Sequence, residues 1–205
     1  KTAALFQRDG VRSAAVLMDM ANSGFATDYV EQLRAHFAGT IFEVKFDSKQ
    51  RIDWQAITDE LLVSAPDAVL LLTEVSMTGV AAQKLKARDY SGMLVSTIWA
   101  QAPGLLDYGG KAVDGMSIIT FIRSDNYSPE FQAFAVRLEK EFKRPASARS
   151  ARGYELVTIL ADALKRCNPL TVHELKKQLA AGKYHTLMGE VAFDPYGDVI
   201  RPVYE

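Results

Sequence analysis

The chain has 205 residues, 48% hydrophobic and 24% charged, and its 24 basic and 25 acidic side chains leave a net charge of -1. Without a clustered basic excess nothing favours nucleic acid as a partner. No apolar run approaches the roughly 20 residues of a membrane span, so direct membrane insertion is not expected, and the single cysteine, Cys167, excludes an internal disulfide.

In chain order, RSAAVLM (12–18) is an apolar strand ending at Asp19, and Asn22-Ser23-Gly24 leads into a helical pattern from Phe25 to Phe37. The unit repeats as TIFEVKF (40–46) into DWQAITDELLVS (53–64), then as DAVLLLT (67–73) into MTGVAAQKLKARD (77–89). MLVST (93–97) precedes a short helical stretch near 102–108 and a last strand, GMSIITFI (115–122). The runs at 67–73 and 93–97 are continuously apolar, as in strands buried on both faces of a parallel sheet. Alternating strands and helices predict an α/β fold with a doubly wound, largely parallel sheet.

Beyond residue 122 the alternation stops. Ser128-Pro129-Glu130 starts a helix to Phe142. A second helix runs from about Arg149 to Lys165, with Tyr154, Val157, Leu160, Ala161 and Leu164 on one face. Thr171 caps a third that stops at Gly182. The apolar runs EVAF and VIRPVY then flank Asp194-Pro195-Tyr196-Gly197-Asp198. Pro195 suits the second position of a type I turn and Gly197 a left-handed conformation, so the cluster predicts a hairpin turn rather than a calcium loop or a carboxylate pair.

In an open parallel sheet ligands bind outside the carboxyl ends of the strands, here the loops 19–24, 47–53, 73–77 and 96–102. None carries a dinucleotide fingerprint, a Walker loop or a nucleophile elbow, and His36, His173 and His185 lack metal-ligand spacing. No catalytic residue, metal or cofactor is therefore assigned. Trp99 offers a flat apolar platform or a plug for the core edge. Glu74 could hold a ligand ammonium or the start of a neighbouring helix. Ser23 and Gly24 open the first long helix, where free amides can receive an anion.

Four stretches, VRSAAVLMDMANSGFATDYVEQLRAHF, PDAVLLLT, GGKAVDGM, and ARGYELVTILADALKRC with MGEVAFDPYGDVIRPVY, resemble the type I periplasmic solute-binding proteins. The likeness is to the leucine/isoleucine/valine-binding branch that serves ABC importers. It implies a two-lobed, non-enzymatic, extracytoplasmic protein that closes on a small-molecule ligand and presents it to a membrane permease. A ligand-sensing domain of a receptor or regulator with the same fold is the alternative. The resemblance assigns 1–148 and 186–205 to the second α/β lobe and 149–185 to a helical segment that returns to the first lobe, whose upstream sheet lies outside this chain. Those helices, without their usual sheet, would favour self-association as a homo-oligomer. Lys1 in place of Met fits a processed or truncated product.

The same resemblance carries ligand contacts to Ser23 with Gly24, Thr73 with Glu74, and Thr97 to Trp99. Branched-chain binders have an aromatic residue at the Ser23 position and an acidic one near Ile98; this sequence has neither. The implied ligand is an amino acid, branched-chain or related, if Glu74 takes over the ammonium, and otherwise an aromatic or organic acid stacked on Trp99.

Overall fold

In the computed structural model, which describes residues 1–122 and 128–205, the chain forms two compact units, Lys1–Thr120 with Glu205, and Phe121–Tyr204.

The first unit contains α1 (Thr2–Arg8), β1 (Ser13–Asp19), α2 (Ser23–His36), β2 (Thr40–Phe46), α3 (Trp54–Leu62), β3 (Ala68–Leu72), α4 (Val75–Lys86), β4 (Met93–Thr97), α5 (Gly104–Gly109) and β5 (Ser117–Ile119). The five strands are parallel, in the order β2-β1-β3-β4-β5. Both faces of the central strands are covered. Ala14, Val16, Met18, Leu70 and Leu72 pack with Leu5, Phe6, Val30 and Leu33 of α1 and α2. The alternate residues Ala15, Leu17, Val69 and Leu71 pack with Leu61, Ala81, Ala82 and Leu85 of α3 and α4. The two-residue period of a strand thus divides each run between two cores.

The doubly wound parallel sheet expected from sequence is the fold observed. β2 and β4 match the expected bounds, whereas β5 is three residues long where eight were expected. The first helix, α1, had no counterpart in the sequence reading; seven residues offer too short a period to recognise, and it is fixed by the edge-to-face contact of Phe6 with Phe37, centroids 5.2 Å apart.

The second unit holds α6 (Pro129–Phe142), α7 (Ala148–Arg166), α8 (Val172–Ala181) and an antiparallel sheet of β6 (Tyr184–Thr186), β7 (Gly189–Phe193) and β8 (Val199–Ile200). Ser128 caps α6 with Pro129 at its first position, and Thr171 caps α8, both as expected. The Asp194–Asp198 cluster is a turn. The amide of Gly197 donates to the carbonyl of Asp194 at 3.0 Å, Gly197 has φ of 93°, and the Asp194 carboxylate accepts from the amides of Tyr196 and Asp198. Within this chain residues 186–204 group with the three helices.

The buried stripe of α7 is Ala151, Glu155, Ile159 and Ala163, whereas Tyr154, Leu156, Val157, Leu160 and Leu164 are 38% to 68% exposed. Glu155 sits in that stripe because it pairs with Arg201, whose side chain is 6% exposed, and accepts a hydrogen bond from the Thr186 hydroxyl at 2.7 Å. The Arg201 guanidinium also lies 4.7 Å from the centre of the Phe121 ring. Its Nε and Nη1 have no hydrogen-bond partner among the described residues, so the pair is incompletely compensated. Arg201→Met should therefore destabilise this unit by about 3 to 5 kcal/mol by stranding Glu155, and adding Glu155→Leu should restore most of that loss. Chemical denaturation of the single and double variants measures both; equal losses would mean that the pair is not the source.

Candidate functional site

The chain runs from β1 outward to β2, returns past β1 to β3, and then proceeds to β4 and β5. The connections leaving β1 and β3 therefore diverge, and their carboxyl ends form the switch-point crevice in which open α/β sheets hold ligands. The six residues singled out from sequence lie at that end. Ser23 and Gly24 are exposed at the start of α2, Thr73 and Glu74 follow β3, and Thr97 and Trp99 follow β4.

The loop after β1 is built on Asp19, which is 1% exposed. Its carboxylate accepts from the amide of Ala21 at 2.9 Å, fixing a single 3₁₀ turn at Met20–Asn22, and from the amide of Ser48 at 3.1 Å, tying in the loop after β2. One buried carboxylate thus positions two loops. Asn22 supplies no side-chain cap to α2, so the amides of its first turn receive no side chain from that position.

After β3 the chain enters α4 without a spacer. Thr73 is fully buried, and its hydroxyl and that of Thr78 are 2.6 Å apart. Glu74 is the N-cap of α4; its Oε1 accepts from the amide of Met77 at 2.8 Å and from the Ser76 hydroxyl. Burial works to raise the pKa of this half-buried carboxyl, and the nearby Asp19 adds to that. The hydrogen bonds from Ser76 and Met77 prevail and hold it below the ordinary glutamate value. Of the two roles considered for Glu74, holding the start of a neighbouring helix is the one present in this structure.

After β4 the hydroxyl of Thr97, itself buried, accepts from the amide of Trp99 at 3.4 Å and so shapes a second 3₁₀ turn, Ile98–Ala100. That turn sets Trp99 against Phe25, with ring centroids 5.6 Å apart and planes at 81°. Phe25 in turn packs on Tyr29 at 5.7 Å, and the Tyr29 and Thr2 hydroxyls are 2.5 Å apart. Trp99 is half-buried, part of the packing and part of the surface. Because β3 lies between β1 and β4, the Phe25–Trp99 pair joins the loops on either side of the Thr73–Glu74 step.

The sequence reading missed Phe25 and Asp19 as site-forming residues. Phe25 had the period of an ordinary core residue, and its pairing with Trp99, 74 positions away, has no local signal. Asp19 was visible as a strand terminus, although its reach to Ser48 depends on β1 and β2 being parallel neighbours. Two cavities among the described residues lie elsewhere. One of about 510 Å³ is at the amino ends of β1 and β2, near Arg12 and Thr40, and one of about 330 Å³ is in the second unit, beside Glu155 and His185. Neither contains any of the six residues.

If Glu74 is the anchor of α4, Glu74→Ala should destabilise the first unit by about 1 kcal/mol at neutral pH, the usual value of an N-cap. A carboxyl whose folded-state pKa is lowered stabilises above its unfolded value, ordinarily 4.5, and loses that contribution as pH falls through the folded value. Urea unfolding at pH 7 and in acid should accordingly show a gap between wild type and variant that closes in acid. A gap independent of pH would assign the loss to packing.

A sequence model of the family described as periplasmic binding protein matches residues 1–204. No curated protein sequence matches the chain. Among solved structures the chain is similar to the leucine binding protein LivK of Thermotoga maritima, with a TM-score of 0.85 and 20% identity over 98% of this chain and 59% of that one. It is also similar to LivJ of Streptococcus pneumoniae in complex with isoleucine, with a TM-score of 0.84 and 16% identity over 98% and 57%. An ABC-transporter solute binding protein of R. palustris in complex with 4-hydroxybenzoate gives 0.83 and 17% over the same shares. At these identities the likeness is one of fold. The chain spans less than two thirds of the length of each.

Proposed function

The chain belongs to the periplasmic binding protein family, and we propose that it is part of the extracytoplasmic solute-binding component of an ABC importer. In this reading a small molecule is held at the carboxyl ends of β1, β3 and β4 by Ser23, Gly24, Thr73, Glu74, Thr97 and Trp99. The other lobe, the first, closes over it, and the closed form is presented to a membrane permease. The observation that carries the proposal is that the loops leaving three neighbouring strands, β1, β3 and β4, share the switch-point edge of the sheet, within a family match covering nearly the whole chain. No helix among the described residues is long and apolar enough to cross a membrane.

The proposal divides the chain between two lobes. The parallel sheet belongs to the second lobe, and the helices within 149–185 return to the first, which would cover the apolar face that α7 exposes here. The solute is an amino acid or an aromatic or organic acid; the similar structures of LivJ, with isoleucine, and of the R. palustris protein, with 4-hydroxybenzoate, support that range.

Ligand binding stabilises a fold by about 2.7 kcal/mol when the ligand is at 100 times its Kd. Thermal unfolding of the full natural chain in a panel of amino acids and carboxylic acids should therefore yield a clear rise in Tm for one member. The 205-residue chain alone should give none, because the site needs both lobes. Equal stabilisation of the two chains, or of neither, would defeat the inter-lobe site.

A further inference from the structure

Phe25 and Trp99 stand nearly perpendicular, at 81° with centroids 5.6 Å apart, and both remain half-buried. Two aromatic planes at right angles form a corner. A planar ring laid against one wall presents its edge to the other, the two arrangements that aromatic quadrupoles favour. An isolated aliphatic side chain would gain contact area from such a corner but no orientation.

The acidic residues of the same edge are already engaged. Among the described residues from the last position of each of β1, β2, β3 and β4 to the start of the next α-helix, these are Asp19, Asp47, Asp53 and Glu74. Asp19 accepts from Ala21 and Ser48, Asp47 from the amide of Lys49, Asp53 from the amides of Gln55 and Ala56 at the start of α3, and Glu74 from Met77 at the start of α4. Each carboxylate therefore satisfies backbone amides, and two of them also offset the positive end of a helix. Drawing one away to an ammonium group would orphan the amides it serves. The edge is thus equipped to stack a ring and poorly equipped to compensate a cation.

Resting on the solute-binding role proposed above, we infer that the solute of this site is a planar aromatic compound without an ammonium group, held in the corner of Phe25 and Trp99, and not an α-amino acid. Matched pairs that differ only in the amino group test this on the full natural chain: 3-phenylpropanoate against phenylalanine, and 4-methylpentanoate against leucine, with 4-hydroxybenzoate as a rigid aromatic probe. Calorimetric titration should give a Kd at least tenfold lower for the deaminated aromatic member than for phenylalanine, and aromatic acids should bind more tightly than 4-methylpentanoate. Trp99→Leu and Phe25→Leu, which keep apolar bulk, should each weaken the aromatic probe tenfold or more while the circular-dichroism melt remains cooperative. Tighter binding of leucine or phenylalanine than of its deaminated partner overturns the inference and leaves the solute-binding role standing. If no member of the panel binds in either form, the role itself falls together with the inference.

Discussion

The controlling constraint is that a parallel sheet must bury both faces. At its centre β1 is apolar at every position between its ends and β3 at every position, because alternate residues serve two different cores. Covering both faces forces the chain to wind outward in two directions, and that reversal opens the crevice between the ends of β1 and β3. The location of the candidate site is thus a by-product of burial. What the sequence is free to vary is the short loop at each strand end, and here all three relevant loops are held by a polar side chain that sits almost entirely inside the protein or at a helix start: Asp19, Glu74 and Thr97.

These caps explain how a site on loops can be rigid. A loop residue that binds a ligand must keep its geometry without the ladder of a strand or the hydrogen bonds of a helix interior. Asp19 resolves this by accepting from two loops at once, and Glu74 by tying the chain to the first turn of α4. The same economy limits the chemistry. A carboxylate surrounded by amide donors is stabilised as an anion where it stands, so it is less available to any other partner.

Much of the fold was legible in the sequence because it rests on local periodicity. The continuous apolar runs at 67–73 and 93–97, the caps Ser128 and Thr171, and the turn at Pro195 each announce themselves within a few residues. The region of the site was legible through topology, since the ends of parallel strands share one edge. Its internal structure was not. The Phe25–Trp99 contact joins positions 74 residues apart, and the Asp19–Ser48 hydrogen bond depends on the register of β1 with β2. Glu74 illustrates the division well: its position after a buried strand could be read, but only the hydrogen bond from Met77 distinguishes a helix cap from an acceptor waiting for a cation.

Helix α7 inverts the usual relation between burial and polarity. Its buried stripe consists of two alanines, one isoleucine and Glu155, whereas its large apolar residues face outward. An amphipathic helix is stabilised chiefly by burying its apolar stripe, and in this chain α7 instead relies on the Arg201 pair, the Thr186 hydroxyl and a small cluster around Ile159, Tyr184 and Val191. Five exposed apolar side chains at helical spacing form a surface that gains free energy from any complementary apolar cover. In a two-lobed protein that cover would come from the first lobe. On the two-lobed proposal the helix would be clamped on both sides: by a charge pair to Arg201, just beyond the hairpin, and by apolar contact to the first lobe.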